Sequence, residues 1–235
     1  MHFANKILNI TFFSIFVMFF FIIIYLLYLR KYHLEYQVLN SERYKKKVNI
    51  FKVEDIHKSS LLILGDSRFE SVNTNLKNAI NLSVGGETSN TLFKRIQNYN
   101  FRDSIKIIIG IGLNDALFSY SSSLALYNMN RLLTKIFKKT NNSKIYICEI
   151  LPINSDGFFY KKEPINLLLN KMNLLIDTIN LDFNNNYKEV IYFKNLRDEN
   201  NHLNLNYSYD GIHLNENGLN LFNHSINQFL KDEEK

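Results

Sequence analysis

Five strand-length apolar runs, at residues 61–64, 79–84, 106–111, 144–151 and 190–193, constrain this chain more than any other feature. The third and fourth are rich in β-branched isoleucine, and all are too short for independent helices. Between them lie amphipathic stretches at 88–99, 121–139, 163–183 and 215–230. In the third of these, Ile165, Leu168, Leu169, Met172, Leu175, Ile176 and Ile179 recur close to the 3.6-residue helical period. Strands that alternate with helices predict an α/β fold, with three α/β/α layers around a mainly parallel five-stranded sheet. In such sheets, sites collect at the carboxyl ends of the strands.

Polar residues stand at those ends. The first run stops on Gly65-Asp66-Ser67, the second on Gly85-Gly86, and the third on Gly112-Leu113-Asn114-Asp115. After the last strand comes Asp210-Gly211-Ile212-His213. A serine hydroxyl is a poor nucleophile until a base takes its proton and a rigid turn exposes it. Gly65 permits that turn, and a helix beginning just beyond would aim its N–H groups at the reacting centre. A base histidine needs an acceptor on its far ring nitrogen, and a carboxylate three residues earlier can fold back to supply one. Glycine N–H groups and an asparagine amide can both serve an oxyanion. Taken singly, each segment also has a plainer role: Asp66 or Ser67 as a helix cap, the glycines as turn punctuation, His213 as an exposed turn residue. Of the other histidines, His57, His202 and His224 lack a comparably placed acid. Histidines and acids show no metal-ligand spacing, so neither a metal nor another cofactor is expected. Cys148, the only cysteine, falls in an apolar run and reads as a core thiol.

In this order and at these strand ends, the four segments resemble the blocks of the SGNH (GDSL-type) esterases and acylhydrolases. The similar residues are Gly65-Asp66-Ser67, Asn81 to Thr88, Gly112 to Asp115 and Asp210 to Leu214, and the resemblance covers 59–230. It implies a flavodoxin-like SGNH hydrolase fold. It also implies Ser67 as nucleophile, His213 as base and Asp210 as its orienting acid. The implied oxyanion hole is the Ser67 and Gly86 N–H groups with the Asn114 side chain. Gly86 is taken over Gly85 because it directly precedes Glu87-Thr88, as the family's glycine precedes its acidic-Thr pair. Arg68 stands where the family often has leucine; an anionic substrate or a nearby carboxylate is its expected partner, the carboxylate being favoured.

Ahead of the domain, residues 7–29 are apolar except for Asn9, Thr11 and Ser14. At about 1.5 Å per residue such a helix reaches about 34 Å, enough for a hydrocarbon core of about 30 Å. No small-residue cleavage pattern follows, so an uncleaved transmembrane anchor is expected rather than a secretory signal. The expected organisation is a short tail (1–6), an anchor (7–29), a basic juxtamembrane stalk (30–58) and the hydrolase domain (59–232). The formal charge is +6, and residues 1–52 carry all of it, with eight Lys and Arg against Glu35 and Glu42. That pattern fits anionic head groups, and the balanced remainder gives no support to a nucleic-acid partner. A literal positive-inside count places the domain in the cytoplasm. Anchored members of the resembled family usually work outside it, and an extracytoplasmic domain is the expectation adopted.

The domain is near the minimum size for such a fold, with few residues for a lid. The expected activity is therefore removal of short acyl groups, acetyl above all, from a carbohydrate or cell-envelope ester through an acyl-serine intermediate. The same residues would serve an O-acyltransferase. A catalytically idle glycan-binding domain and a membrane scaffold are the alternatives from other classes.

Overall fold

The computed structural model describes residues 15–26, 35–50 and 59–233, apart from 98, 100, 102, 119–120, 141 and 158–162. Its sheet has five strands: β1 (Leu61–Gly65), β2 (Ala79–Asn81), β3 (Lys106–Gly110), β4 (Lys144–Cys148) and β5 (Val190–Ile191). All pair in parallel, in the order β2-β1-β3-β4-β5. The helices are α1 (Glu42–Ile50), α2 (Ser89–Ile96), α3 (Leu113–Phe118), α4 (Ser122–Lys139), α5 (Glu163–Asn186) and α6 (Glu216–Asp232).

Successive strand residues point to opposite faces, and here both faces are covered. Leu62, Leu64, Ile107, Ile109 and Ile147 pack with Leu92 and Ile96 of α2, Leu132 and Ile136 of α4, and Ile176 and Ile179 of α5. On the other face Leu61, Ile63, Ile108, Tyr146 and Cys148 meet Phe222, Ile226 and Leu230 of α6. Cys148 is thus a core residue, and burial pushes its thiol pKa well up. The expected α/β/α layering is present.

Four strands are shorter than their apolar runs, and beyond three of them side chains hold the chain alongside backbone bonds such as Leu82 N to Ile63 O (2.8 Å) and Glu149 N to Ile191 O (2.9 Å). At the end of β2, Asn81 donates to the carbonyls of Phe69 (2.7 Å) and Val72 (2.9 Å) while accepting from Ser83 N (2.9 Å). Past β4, the carboxamides of Asn180 and Asn173 each bond both backbone groups of one residue, Ile150 and Ile153 respectively, at 2.7–2.8 Å. Seven residues apart on α5, they share one helix face and fix the 150–153 segment like an extra strand. At β5, Phe193 N donates to the Glu149 carboxylate, not to a neighbouring strand.

Residues 15–26 are helical, and nearly all of their apolar side chains are exposed. At about 1.5 Å per residue they reach about 18 Å. Among the described residues no helix is long and apolar enough to cross a membrane. The remainder of the expected anchor, 7–14 and 27–29, lies outside the described residues. Within the segment expected as a stalk, 35–40 and α1 are helical and lie against the sheet domain. Tyr44 is buried, Lys47 Nζ donates to Asn81 O (2.5 Å), and Arg43 faces Glu70 (3.5 Å).

With β1 between β2 and β3, the chain leaves the sheet's first strand in one direction and returns to pair on its other side. The crevice of a doubly wound sheet opens at such a reversal, beyond the carboxyl ends of β1 and β3.

Candidate active site

Ser67 stands at that reversal, in a turn rather than at a helix start. Residues 67–71 form consecutive turns, so the helix expected just beyond Ser67 is absent. Asp66 N donates to Gly110 O of β3 (3.1 Å), and Phe69 N closes the turn on Asp66 O (3.0 Å). An added Cβ at Gly65 would lie 2.6 Å from both Gly110 O and Phe69 Cβ. Only glycine lets β1 pass this close to β3 before presenting the half-buried serine.

Two other segments close on it. A Cβ at Gly85 would lie 3.7 Å from the Ser67 Cβ, so the glycine pair packs beside the serine. Glu87 N closes a turn on Val84 O (3.2 Å), and Gly86 has φ +81°, a conformation such turns reserve for glycine. Asn114 sits in the first turn of α3, buried, and its Nδ2 donates to Glu87 O (3.0 Å). Asp115 accepts from Ser89 N (2.8 Å), stitching α3 to the start of α2. Gly86 and Asn114 border one small cavity. The Glu87 carboxylate turns inward to a bidentate pair with Arg95, at 2.8 and 2.6 Å, fully buried on both sides.

The Asp210 carboxylate folds back on its own loop as the spacing predicted. Oδ2 lies 2.7 Å from His213 Nδ1, and Oδ1 accepts from Ile212 N (2.8 Å) and His213 N (2.7 Å). Partial burial pushes this carboxyl up, but the His213 ring and the two N–H donors outweigh it and hold the pKa below the usual carboxylate range. Gly211 takes φ +80°, and a Cβ there would lie 2.1 Å from Asn154 O. The His213 side chain is about half exposed. Among the described residues no hydrogen bond joins Ser67 to His213. Such contacts often tighten only when substrate arrives.

Arg68 supplies the tie that the sequence left open. Its guanidinium is buried and donates to Ile212 O (2.8 Å), Leu151 O (2.5 Å) and Pro152 O (3.4 Å). One side chain therefore joins the residue next to Ser67, the 150–153 segment, and the residue next to His213. Among the described residues no carboxylate makes an ion pair with it. Burial lowers the Arg68 pKa to about 10 against the fields of Asp66 and Asp210, and Asp66 Oδ1 accepts from the Arg68 backbone N–H (3.1 Å). Sequence spacing gave no signal for this role, because Arg68 and Ile212 are far apart in the chain.

Burial pushes the Asp66 carboxyl up to about 6, against the pull of Arg68; Asp115 adds to the rise. A carboxyl raised in the folded state contributes stability that is complete below about pH 4 and lost as pH climbs through about 6. The stability of the native chain relative to Asp66→Asn should accordingly fall by about 3 kcal/mol between about pH 4 and 7. Urea unfolding of both proteins across that range reads it, and a pH-independent difference would contradict burial as the cause.

Comparison with known proteins agrees with this architecture. No protein-family model matches the chain. The N-acylneuraminate cytidylyltransferase of Escherichia coli is 26% identical over 204 residues, 83% of this chain and 45% of its own length. The chain thus spans less than half of that curated relative. A GDSL-like lipase from Bacteroides thetaiotaomicron superposes with a TM-score of 0.62 at 18% identity, over 83% of this chain and 99% of that one. A candidate acylhydrolase from Bacteroides fragilis gives 0.61 at 18%, over 83% and 98%. A candidate platelet activating factor from Streptococcus pneumonia gives 0.65 at 20%, over 84% and 96%. The chain has the α/β/α fold that these GDSL-like structures share.

Proposed function

We propose that the chain is a membrane-anchored serine esterase that removes short acyl groups, acetyl foremost, from a carbohydrate or cell-envelope ester. The observation that carries this is the 2.7 Å Asp210–His213 contact, on a loop that Arg68 ties to the Ser67 turn. With Nδ1 held by Asp210, His213 presents Nε2 to a substrate-bound Ser67. Ser67 Oγ attacks the ester carbonyl as His213 takes its proton. The tetrahedral oxyanion is received by Ser67 N, Gly86 N and Asn114 Nδ2. An amide nitrogen carries two donors, and Glu87 O uses only one of those on Asn114. Collapse expels the alcohol, protonated by His213, and leaves acyl-Ser67. Water, activated in turn by His213, then releases the acid. No step calls on a metal or cofactor.

The fold shared with a GDSL-like lipase supports ester chemistry. The curated relative's name, which refers to an N-acylated sugar acid, is in keeping with a carbohydrate substrate. Nucleotidyl transfer is not carried over, since the match spans less than half of that protein. The apolar sequence of residues 7–29 motivates the anchor, and in this reading the domain at 59–232 lies outside the cytoplasm beside envelope glycans.

Turnover of p-nitrophenyl acetate by the purified chain tests the reading, with Asn114→Ala expected to lower kcat by roughly 10²–10³. A native chain inert to short esters, or an Asn114→Ala variant as fast as the native chain, would overturn it. Clear preference for acyl chains of eight or more carbons would overturn the short-acyl assignment.

A further inference from the structure

The cavity bordered by Gly86 and Asn114 has a wall from outside the sheet domain. Its volume is about 130 Å³, and Val38, Thr88, Asn90 and Phe118 also line it. A Cβ on Gly86 would lie 3.1 Å from Val38 Cγ2, so this side chain sits directly over the glycine. Residues 35–40 are held in place at both ends. Asn90 Nδ2 donates to both Glu35 carboxylate oxygens, at 3.1 and 3.0 Å, and Lys94 adds an ion pair at 3.3 Å. Arg131 fixes Asn90 from behind, donating to its Oδ1 (2.5 Å). At the other end Ser41 Oγ donates to Val38 O (2.8 Å) and accepts from Tyr44 N (3.2 Å), and Tyr44 is buried.

The proposed chemistry decides which part of an ester this cavity receives. A leaving alcohol must lie beside His213, which protonates it, and the oxyanion must lie at Gly86 and Asn114. None of the residues lining the cavity comes from the Asp210–His213 loop. The third substituent of the carbonyl, the acyl chain, therefore points into it. A cavity of about 150 Å³ accepts benzene, so one of 130 Å³ accepts an acyl group of no more than about six heavy atoms.

We infer that the segment preceding the domain completes the acyl pocket, and that Val38 sets the acyl length the enzyme accepts. The inference rests on the esterase reading. Proximity to the expected anchor follows from chain length alone: the six Cα-to-Cα steps from 29 to 35 reach about 20 Å. The pocket would then be membrane-proximal, suited to esters at the bilayer surface.

The test is kcat/KM for p-nitrophenyl acetate, butyrate, hexanoate and octanoate, measured on the full chain in detergent micelles. Val38→Ala is expected to raise the hexanoate-to-acetate ratio at least about ten-fold, the discrimination an apolar pocket gains per methylene. Val38→Met is expected to shift the ratio the other way, lowering butyrate relative to acetate. Tyr36→Ala, at an exposed neighbour, is expected to leave the profile as it was. Profiles that coincide for native, Val38→Ala and Val38→Met chains would overturn the pocket assignment while leaving the esterase reading intact. A native chain inert to all four esters and to a fluorophosphonate probe would overturn both together.

Discussion

Ser67→Ala and His213→Ala should each lower kcat for ester hydrolysis by roughly five to six orders of magnitude, with the double variant no worse than either. On the proposed mechanism Ser67, His213 and Asp210 act as one unit. Without the hydroxyl no acyl-enzyme forms, and without the imidazole the hydroxyl keeps its proton. Asp210→Asn should cost less, about 10⁴, because the ring remains but loses the acceptor that fixes its tautomer and stabilises its cation. The Asp210 carboxylate also accepts two backbone N–H groups, so the amide variant loosens the loop as well. Circular dichroism should show all three variants folded, since Ser67 is only half-buried and the Asp210 and His213 side chains are partly exposed. Activity retained within ten-fold in Ser67→Ala would leave the proposed mechanism without a nucleophile.

The largest effect on stability belongs to a different pair. Arg95→Ala should cost about 3–5 kcal/mol, because it strands the Glu87 carboxylate in a site with no access to water. Removing both charges together, as Glu87→Leu with Arg95→Met, should cost much less and can stabilise, since an apolar pair carries no desolvation penalty. Urea unfolding of the single and double variants separates the two effects. A large coupling identifies the buried pair as one unit, whereas additive losses would contradict it. The pair also has a link to the site: the Glu87 carbonyl orients Asn114, and Gly86 precedes it. Loss of the pair should therefore lower turnover even in protein that remains folded.

What the sequence showed and what it hid divide along local and distant contacts. Strand positions were legible because a parallel sheet covered on both faces forces near-continuous apolar runs. Strand ends were not, since the side-chain amides of Asn81, Asn173 and Asn180 bond backbone groups just beyond the strands, and their own positions carry no periodic signal. The pairing of Asp210 with His213 was legible because it is closed within one short loop. Arg68 was misjudged as the partner of a carboxylate. Its true partners are carbonyls of Leu151, Pro152 and Ile212, which only the tertiary fold brings together. Likewise the polar stretch after the expected anchor offered weak periodicity, yet Glu35, Val38 and Tyr44 bind the domain one by one. Short α3 was missed inside a segment noted only for its motif, Gly112 to Asp115.

The central claim, that Ser67 is an activated nucleophile, is tested most directly by treating the full chain with a fluorophosphonate and mapping the adduct by peptide mass spectrometry. The account predicts one adduct, on Ser67, formed in the native chain and abolished in His213→Ala. A well-folded native chain that takes no label, or one labelled at another serine, would contradict it.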